Sequence, residues 1–299
     1  MSVLSLDPIL TRREEIQRSA AASLRGRQRR SRIALWICIA CLAIALVPLV
    51  AVVSYTVIRG AQAWSVDFFT QVPTPAGVPG GGIWNSIVGS LIIDGIAAAG
   101  SIPVGIAVGL FLAQSESRTA GVVRFAADVL AGVPSIVVGI FAYAVLVTTL
   151  HHFSAIAGAL GIGVIMLPII IRASEGALRT VPKDLGEAAL SLGAKDAAIA
   201  RRVILPTAAP GLFTALLLAV ARGAGESAPL IFTAIGSQYF ATSPLGPMAA
   251  MPLTIYLDGI QAYPTLQRIA WGTGLLLLVF VFVLAVSGHL AAARLGRRA

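Results

Sequence analysis

The chain has 299 residues, of which 57% are hydrophobic and 12% charged, and its mean hydropathy is +0.89. A soluble domain carries about twice that share of charge, so this composition describes an integral membrane protein rather than a water-soluble globule. A formal net charge of +9 would suit a nucleic-acid partner, but the placement of the charges along the chain argues against one.

Residues 1–32 form a polar arm containing eight arginines, among them Arg25, Arg27, Arg29, Arg30 and Arg32. Directly before an apolar span, such a run fixes membrane orientation or touches anionic lipid. The run from Ile33 to about Ile58 is too long for the core of a cleaved signal and is expected to remain as a first transmembrane helix. Cys38 and Cys41 lie one turn apart within it, without the polar neighbours that redox or zinc chemistry needs, and are read as packing residues. Five further spans are expected, approximately at Ile83–Ala113, Phe125–Leu150, Ser154–Ile171, Pro210–Ile235 and Ile269–Leu290.

With the N-terminus inside, segments 1–32, 114–124, 172–209 and 291–299 face the cytosol and hold 19 of the 22 Lys and Arg residues. Only Arg59 and Arg268 fall outside, and Arg222 lies within a span. That bias predicts six spans with both termini cytosolic. His151, His152 and Phe153 alone separate the third and fourth spans, so a tight turn is expected there. The outer loops are the Gly/Pro-rich stretch 72–82 and the longer 237–267, where Met251–Tyr256 reads as an amphipathic segment at the outer interface. Gly105 and Gly109 form a G-x-x-x-G pair suited to close helix packing, as are Gly158, Gly161 and Gly163. Pro103, Pro134 and Pro168 mark bends or cavities in the bundle.

The cytosolic loop 173–209 carries the most informative stretch. Asp184 suits a helix N-cap with Glu187 three residues on, in the manner of a capping box. Leu185, Ala188, Ala189 and Leu192 recur at helical spacing, and Gly193 is placed to end the helix with positive φ. The product is a short helix with a small apolar face. It reads either as a docking helix for another protein or as an amphipathic linker on the bilayer surface.

The fifth span carries Arg222 about 18 Å along the helix, near mid-bilayer. An unmatched arginine there costs roughly 2.5–3.5 kcal/mol on insertion scales, so a partner is required. Glu226, one turn on, shares its face. The two read either as a permanent structural ion pair or as a guanidinium fork that meets a passing oxyanion while Glu226 holds it between passages. His151, His152 and His289 have no metal-ligand spacing, and the sequence contains no G-x-x-x-x-G-K-[ST] loop, so neither a metal nor a bound nucleotide is expected in this chain. No Ser/His/Asp or H-E-x-x-H arrangement speaks for an intramembrane hydrolase.

Glu187-Ala188-Ala189, then Gly193, then Val203-Ile204-Leu205-Pro206 resembles the EAA signature of ABC-importer permeases. Arg222-Gly-Ala-Gly-Glu226-Ser-Ala-Pro-Leu-Ile-Phe-Thr233 is similar to the PstA-type subunit of bacterial phosphate importers. Ala131-Gly-Val-Pro-Ser-Ile-Val-Val-Gly139, Met251-Pro252 and Ile255-Tyr256 share that likeness, which covers about residues 33–295 and leaves the arginine-rich arm unmatched. Val203 stands where the family usually has isoleucine.

The resemblance implies an all-α, six-span, type I ABC importer permease of MetI-like architecture in a bacterial cell membrane. Its domain would be residues 33–295, followed by a cytosolic tail at 296–299. Asp184, Glu187, Ala188, Ala189, Gly193, Leu205 and Pro206 would serve ATPase coupling. Arg222 and Glu226 would line the phosphate pathway, and Arg172 is either a further pathway residue or an ordinary positive-inside residue. The implied partners are a homologous PstC-type permease, two ATPase subunits that bind Mg-ATP, an extracytoplasmic phosphate-binding protein and membrane lipid. The chain itself would hold no cofactor and be no enzyme. A sulfate or molybdate permease, or an ion-coupled secondary transporter that needs no docking helix, are the alternatives.

Overall fold

A computed structural model describes residues 7–78 and 80–295, so the 296–299 tail lies outside the described residues. Among the described residues the only β pairing is an isolated bridge between Ile235 and Met248; every regular element is helical. They fall into two units, one ending at Tyr55 and the other beginning at Thr56. Among the described residues five helices are long and apolar enough to cross a membrane, and a bent pair makes a sixth if counted as one span.

Helix α1, Asp7–Ala61, runs unbroken for 55 residues, with its apolar span at Arg29–Ala61. The arm from Asp7 onward is therefore helical and continuous with the first span, and no break marks position 32. Helix α2, Val66–Thr70, starts where the Ser65 Oγ accepts the Phe68 N–H at 3.2 Å. Phe68 then sits in a small core with Ala63, Ile83 and Ile269.

Helices α3 (Trp84–Gln114) and α6 (Ala155–Arg179) form the central pair. Lipid tails are as apolar as leucine, so close packing rather than water exclusion holds helices together in a bilayer. The glycine pair performs that role here. A methyl group on Gly109 would lie 2.6 Å from Ser174 Cβ, and one on Gly105 would lie 2.4 Å from Ile170 Cγ2. Ile93, Ile162, Met166 and Ile170 fill the interior beside them, with Leu230, Met248 and Leu253 from later elements.

The third span, expected over Phe125–Leu150 with a bend or cavity at Pro134, starts earlier and turns at that proline. It is two helices, α4 (Arg118–Ala131) and α5 (Ser135–Leu150), meeting at 99°. Gly132 caps α4, and Pro134 (φ −58°) precedes α5 at its N-cap. A proline disfavours helical geometry in the residue before it and cannot supply an N–H to a continuing ladder, so the turn falls at Gly132-Val133-Pro134. His151 (φ 60°) then ends α5, and the Ser154 Oγ caps α6 by accepting the Ala157 N–H at 3.2 Å, which makes the tight turn the sequence calls for.

After the loop helix α7 (Lys183–Ser191) comes α8 (Asp196–Ala224), followed by α9 (Ala228–Thr233), α10 (Met251–Gly259) and α11 (Pro264–Leu295). The expected fifth span, Pro210–Ile235, is thus broken at Gly225-Glu226-Ser227. Pro229 in the first turn of α9 forces a new start. Helix α10 is not the surface segment the sequence indicated. Met251, Pro252 and Leu253 are buried, the Met251 N–H donates to Ser90 Oγ at 2.8 Å, and the Ser86 and Thr254 hydroxyls bond at 2.7 Å.

Gly109→Ala overpacks the α3–α6 seam and should lower stability by about 1–3 kcal/mol. Gly121→Ala, on α4 with nothing within 4 Å of the added methyl, should leave it unchanged or raise it by about 0.5 kcal/mol. Thermal unfolding of both variants in detergent checks the opposite signs.

Candidate functional site

The pair expected in the fifth span forms. Arg222 lies in the last turn of α8, and its Nη1 donates to the Glu226 Oε1 in the break that follows. Arg222 is thus near the end of a 29-residue helix, not midway along it, because α8 begins at Asp196 rather than Pro210. The two side chains sit differently. Glu226 is 8% exposed and Arg222 58% exposed. The buried carboxylate anchors one corner of the guanidinium. The remaining N–H groups make no other hydrogen bond among the described residues, which leaves a planar donor fork for an oxyanion. Gly223 lets the helices close at this turn: a methyl there would lie 2.8 Å from Met166 Sδ and 3.0 Å from Ile162 Cγ2 on α6.

Arg172 belongs to a second cluster that sequence reasoning missed. Glu175, one turn along α6 and 6% exposed, receives Arg124 at 2.8 Å, Arg172 at 2.9 Å and Arg179 at 3.0 Å. Arg172 also reaches Asp128 at 2.9 Å. Arg124 and Arg179 donate in addition to the Leu112 carbonyl, at 3.3 and 3.4 Å, near the C-terminal end of α3. Cations there complement the unfilled carbonyls and the helix dipole. One carboxylate thus ties α3, α4 and α6 together. Arg172 is held by two carboxylates and is no free anion receptor in this conformation. No ion pair or side-chain hydrogen bond joins this cluster to Arg222–Glu226 among the described residues. Part of the cluster had a local signal: Arg172, Glu175 and Arg179 are spaced three and four residues apart on one helix face. Arg124 and Asp128 join only through the tertiary fold.

The loop helix α7 is present, with a different start. Pro182 occupies the N-cap position and no side chain caps the helix. Asp184 therefore lies in the first turn, where its charge favours the helix dipole, and Glu187 sits further in rather than at the third position. The C-terminus matches expectation. Gly193 has φ +80°, its N–H bonds the Leu190 carbonyl at 2.8 Å, and the Ala194 N–H bonds the Ala189 carbonyl at 3.1 Å. This reciprocal pair is a Schellman cap.

No residue of α7 is buried. Leu185, Leu190 and Leu192 are 42%, 52% and 88% exposed, Glu187 and Ala188 are exposed, and Ala189 is half-buried. Leu205 and Pro206 do different work. Leu205 packs on the Leu178, Ala208 and Leu212 cluster and roots the loop in α6 and α8. Pro206, which cannot donate to the Arg202 carbonyl, follows a π-helical widening at Ala200–Ile204.

Comparison with known proteins finds relatives over most of the chain. Residues 101–299 match the family described as binding-protein-dependent transport system inner membrane component. The phosphate transport system permease protein PstA of Yersinia pestis is 36% identical over 262 residues, 87% of this chain and 89% of that protein. PstA of Xylella fastidiosa is 40% identical over 234 residues, 77% of this chain and 81% of its own length. PstA 1 of Mycobacterium tuberculosis is 33% identical over 248 residues, 80% of this chain. A solved structure, the inward-facing MetNI methionine ABC transporter, aligns with a TM-score of 0.60 at 20% identity, covering 71% of this chain and 97% of that one, which is a likeness of fold.

Glu175→Gln leaves three arginines around an uncharged group and should destabilise the protein by about 3 kcal/mol or more. Asp128→Asn, at a half-exposed carboxylate, should cost under about 1 kcal/mol. Unfolding midpoints in detergent read the difference.

Proposed function

Because the chain belongs to the family of binding-protein-dependent transport system inner membrane components, we propose that it is the permease subunit of an ATP-driven phosphate importer. Supporting this are PstA relatives named as phosphate transport permeases, and a guanidinium held at one corner with its other donors free. That second observation carries the reading. Phosphate offers oxygens matched to a planar donor fork, and Glu226 supplies the compensating charge whenever the anion is absent.

In this reading both termini face the cytosol, which places α7 on the nucleotide side. The exposed leucines of α7 dock in a groove of a cytosolic ATPase, and two such subunits bind and hydrolyse Mg-ATP while this chain holds no cofactor and catalyses nothing itself. A homologous permease completes the pathway, and an extracytoplasmic binding protein delivers phosphate. ATPase closure moves α7, and Leu205 and its cluster pass that motion to α6 and α8. The bundle then opens outward, and reopens inward after hydrolysis. Arg222 neutralises the passing anion, while its bond to Glu226 keeps the attraction modest enough for release. Arg172 enters the pathway only if its carboxylate partners let go in another conformation. The residues 33–295 form the permease domain, with the helical arm before it.

The test is reconstitution with the partner permease, ATPase and binding protein in liposomes. ATP-dependent uptake of phosphate, and stimulation of ATPase activity by the phosphate-loaded binding protein, are expected. Sulfate or molybdate uptake in place of phosphate would move the substrate assignment, and uptake without the ATPase would favour a secondary transporter. Leu190→Asp on α7 should reduce ATPase association or coupled uptake at least tenfold while leaving this chain's unfolding midpoint within a degree or two, since its side chain is exposed.

A further inference from the structure

A polar cavity of about 390 Å³ lies at the opposite end of the spans from the α7 loop, between residues 73–76, the start of α3, the 235–238 turn and α10. Its charge is one-sided. Asp258, Asn85, Gln261 and the Ser86–Thr254 hydroxyl pair contribute to the lining, and no lining group among the described residues is positively charged. Asn85 is 3% exposed; its Nδ2 donates to the Ser237 carbonyl at 2.7 Å, while its Oδ1 is buried with no partner. An orphaned buried acceptor is costly and marks a place for a donor. No described side chain pairs with the Asp258 carboxylate. Asp67 of α2 already accepts from Gln71 Nε2 at 2.8 Å. At the rim, Ile235 has φ 57°, a left-handed conformation that a β-branched residue avoids and that collects at functional positions.

We infer that this cavity receives a basic side chain, lysine or arginine, of the extracytoplasmic binding protein. The inference rests on the orientation and partner proposed above. A carboxylate with no lining cation beside it repels phosphate, so the cavity is not an antechamber for the substrate. A bare metal ion needs a dense oxygen cage, and one carboxylate in a space of this volume does not make one. The space suits an ammonium or guanidinium on its own stem, entering from outside.

Burial pushes the Asp258 carboxyl up to about 6. It is the only titratable group among the described lining residues. Of the charged groups on neighbouring elements, Asp94 of α3 is not among the lining residues, Arg268 of α11 is engaged with the Gln62 carbonyl, and Asp67 of α2 with Gln71. The attractive form is the carboxylate, so docking strengthens as pH rises through about 6 and weakens as the group is protonated below it.

The experiment measures binding of the phosphate-loaded binding protein to the assembled importer in nanodiscs between pH 5 and 7.5. Asp258→Asn should weaken binding about tenfold at pH 7.5 and flatten the pH profile, with basal ATPase activity unchanged. Asp258→Lys should be rescued by reversing one Lys or Arg of the binding protein to Asp. N-methylguanidinium should compete with the wild-type complex at millimolar levels, which keeps the idea testable if the variants fail to assemble. Unaltered affinity and pH profile in Asp258→Asn, or no competition by N-methylguanidinium where that variant fails to assemble, overturns the inference alone. A wild-type importer that binds no binding protein at any pH overturns the functional reading beneath it as well.

Discussion

A guanidinium carried into a bilayer has to bring its own counter-charge, and the arrangement of this protein follows from how that demand is met. Arg222 is matched by Glu226 one turn away, across the point where α8 gives way to a loop. The pairing is asymmetric, with the acid buried and the base exposed. A symmetric buried pair would be a structural rivet. An exposed guanidinium on a buried anchor is a group that can exchange ligands without abandoning its counter-ion, and a transport pathway for an anion needs that property.

The same demand is met differently around Glu175. There one buried carboxylate serves three arginines from two helices, and two of those arginines also fill a carbonyl near the end of α3. The outcome is a joint rather than a receptor. It binds α4, the first arm of the bent pair, to the central α3–α6 pair, next to the loop that carries α7. Motion imposed on that loop meets two anchors: the Glu175 joint, and the apolar cluster of Leu178, Leu205, Ala208 and Leu212. The charged joint resists separation of α4 from α6, while the apolar cluster ties the loop to α8 and so to Arg222.

Much of this was legible in the sequence because the signals were local. Apolar runs gave the spans, Gly193 gave the helix stop, and the four-residue spacing of Arg222 and Glu226 gave their contact. Gly105 and Gly109 announced the tight seam. What was not legible depended on partners distant in the chain or on competition between neighbouring residues. Pro182, with its fixed φ, took the cap position from Asp184. Pro134 marked the bend in Phe125–Leu150, but neither its 99° size nor the start of α4 at Arg118 could be read from local signals. Arg124 lies 51 residues from Glu175, and no periodicity links them. Helix α10 looked amphipathic because Thr254 and Tyr256 alternate with apolar residues; in the fold Ser86 satisfies Thr254, and the first turn is buried.

The claim at the centre is that the exposed side of Arg222 meets the transported anion. The direct measurement is phosphate uptake into liposomes containing the complete importer with Arg222→Ala, assembled to the wild-type level and with basal ATPase activity retained. The account predicts that uptake falls to background. Uptake at the wild-type rate would show that Arg222 only braces the helix break, and would contradict it.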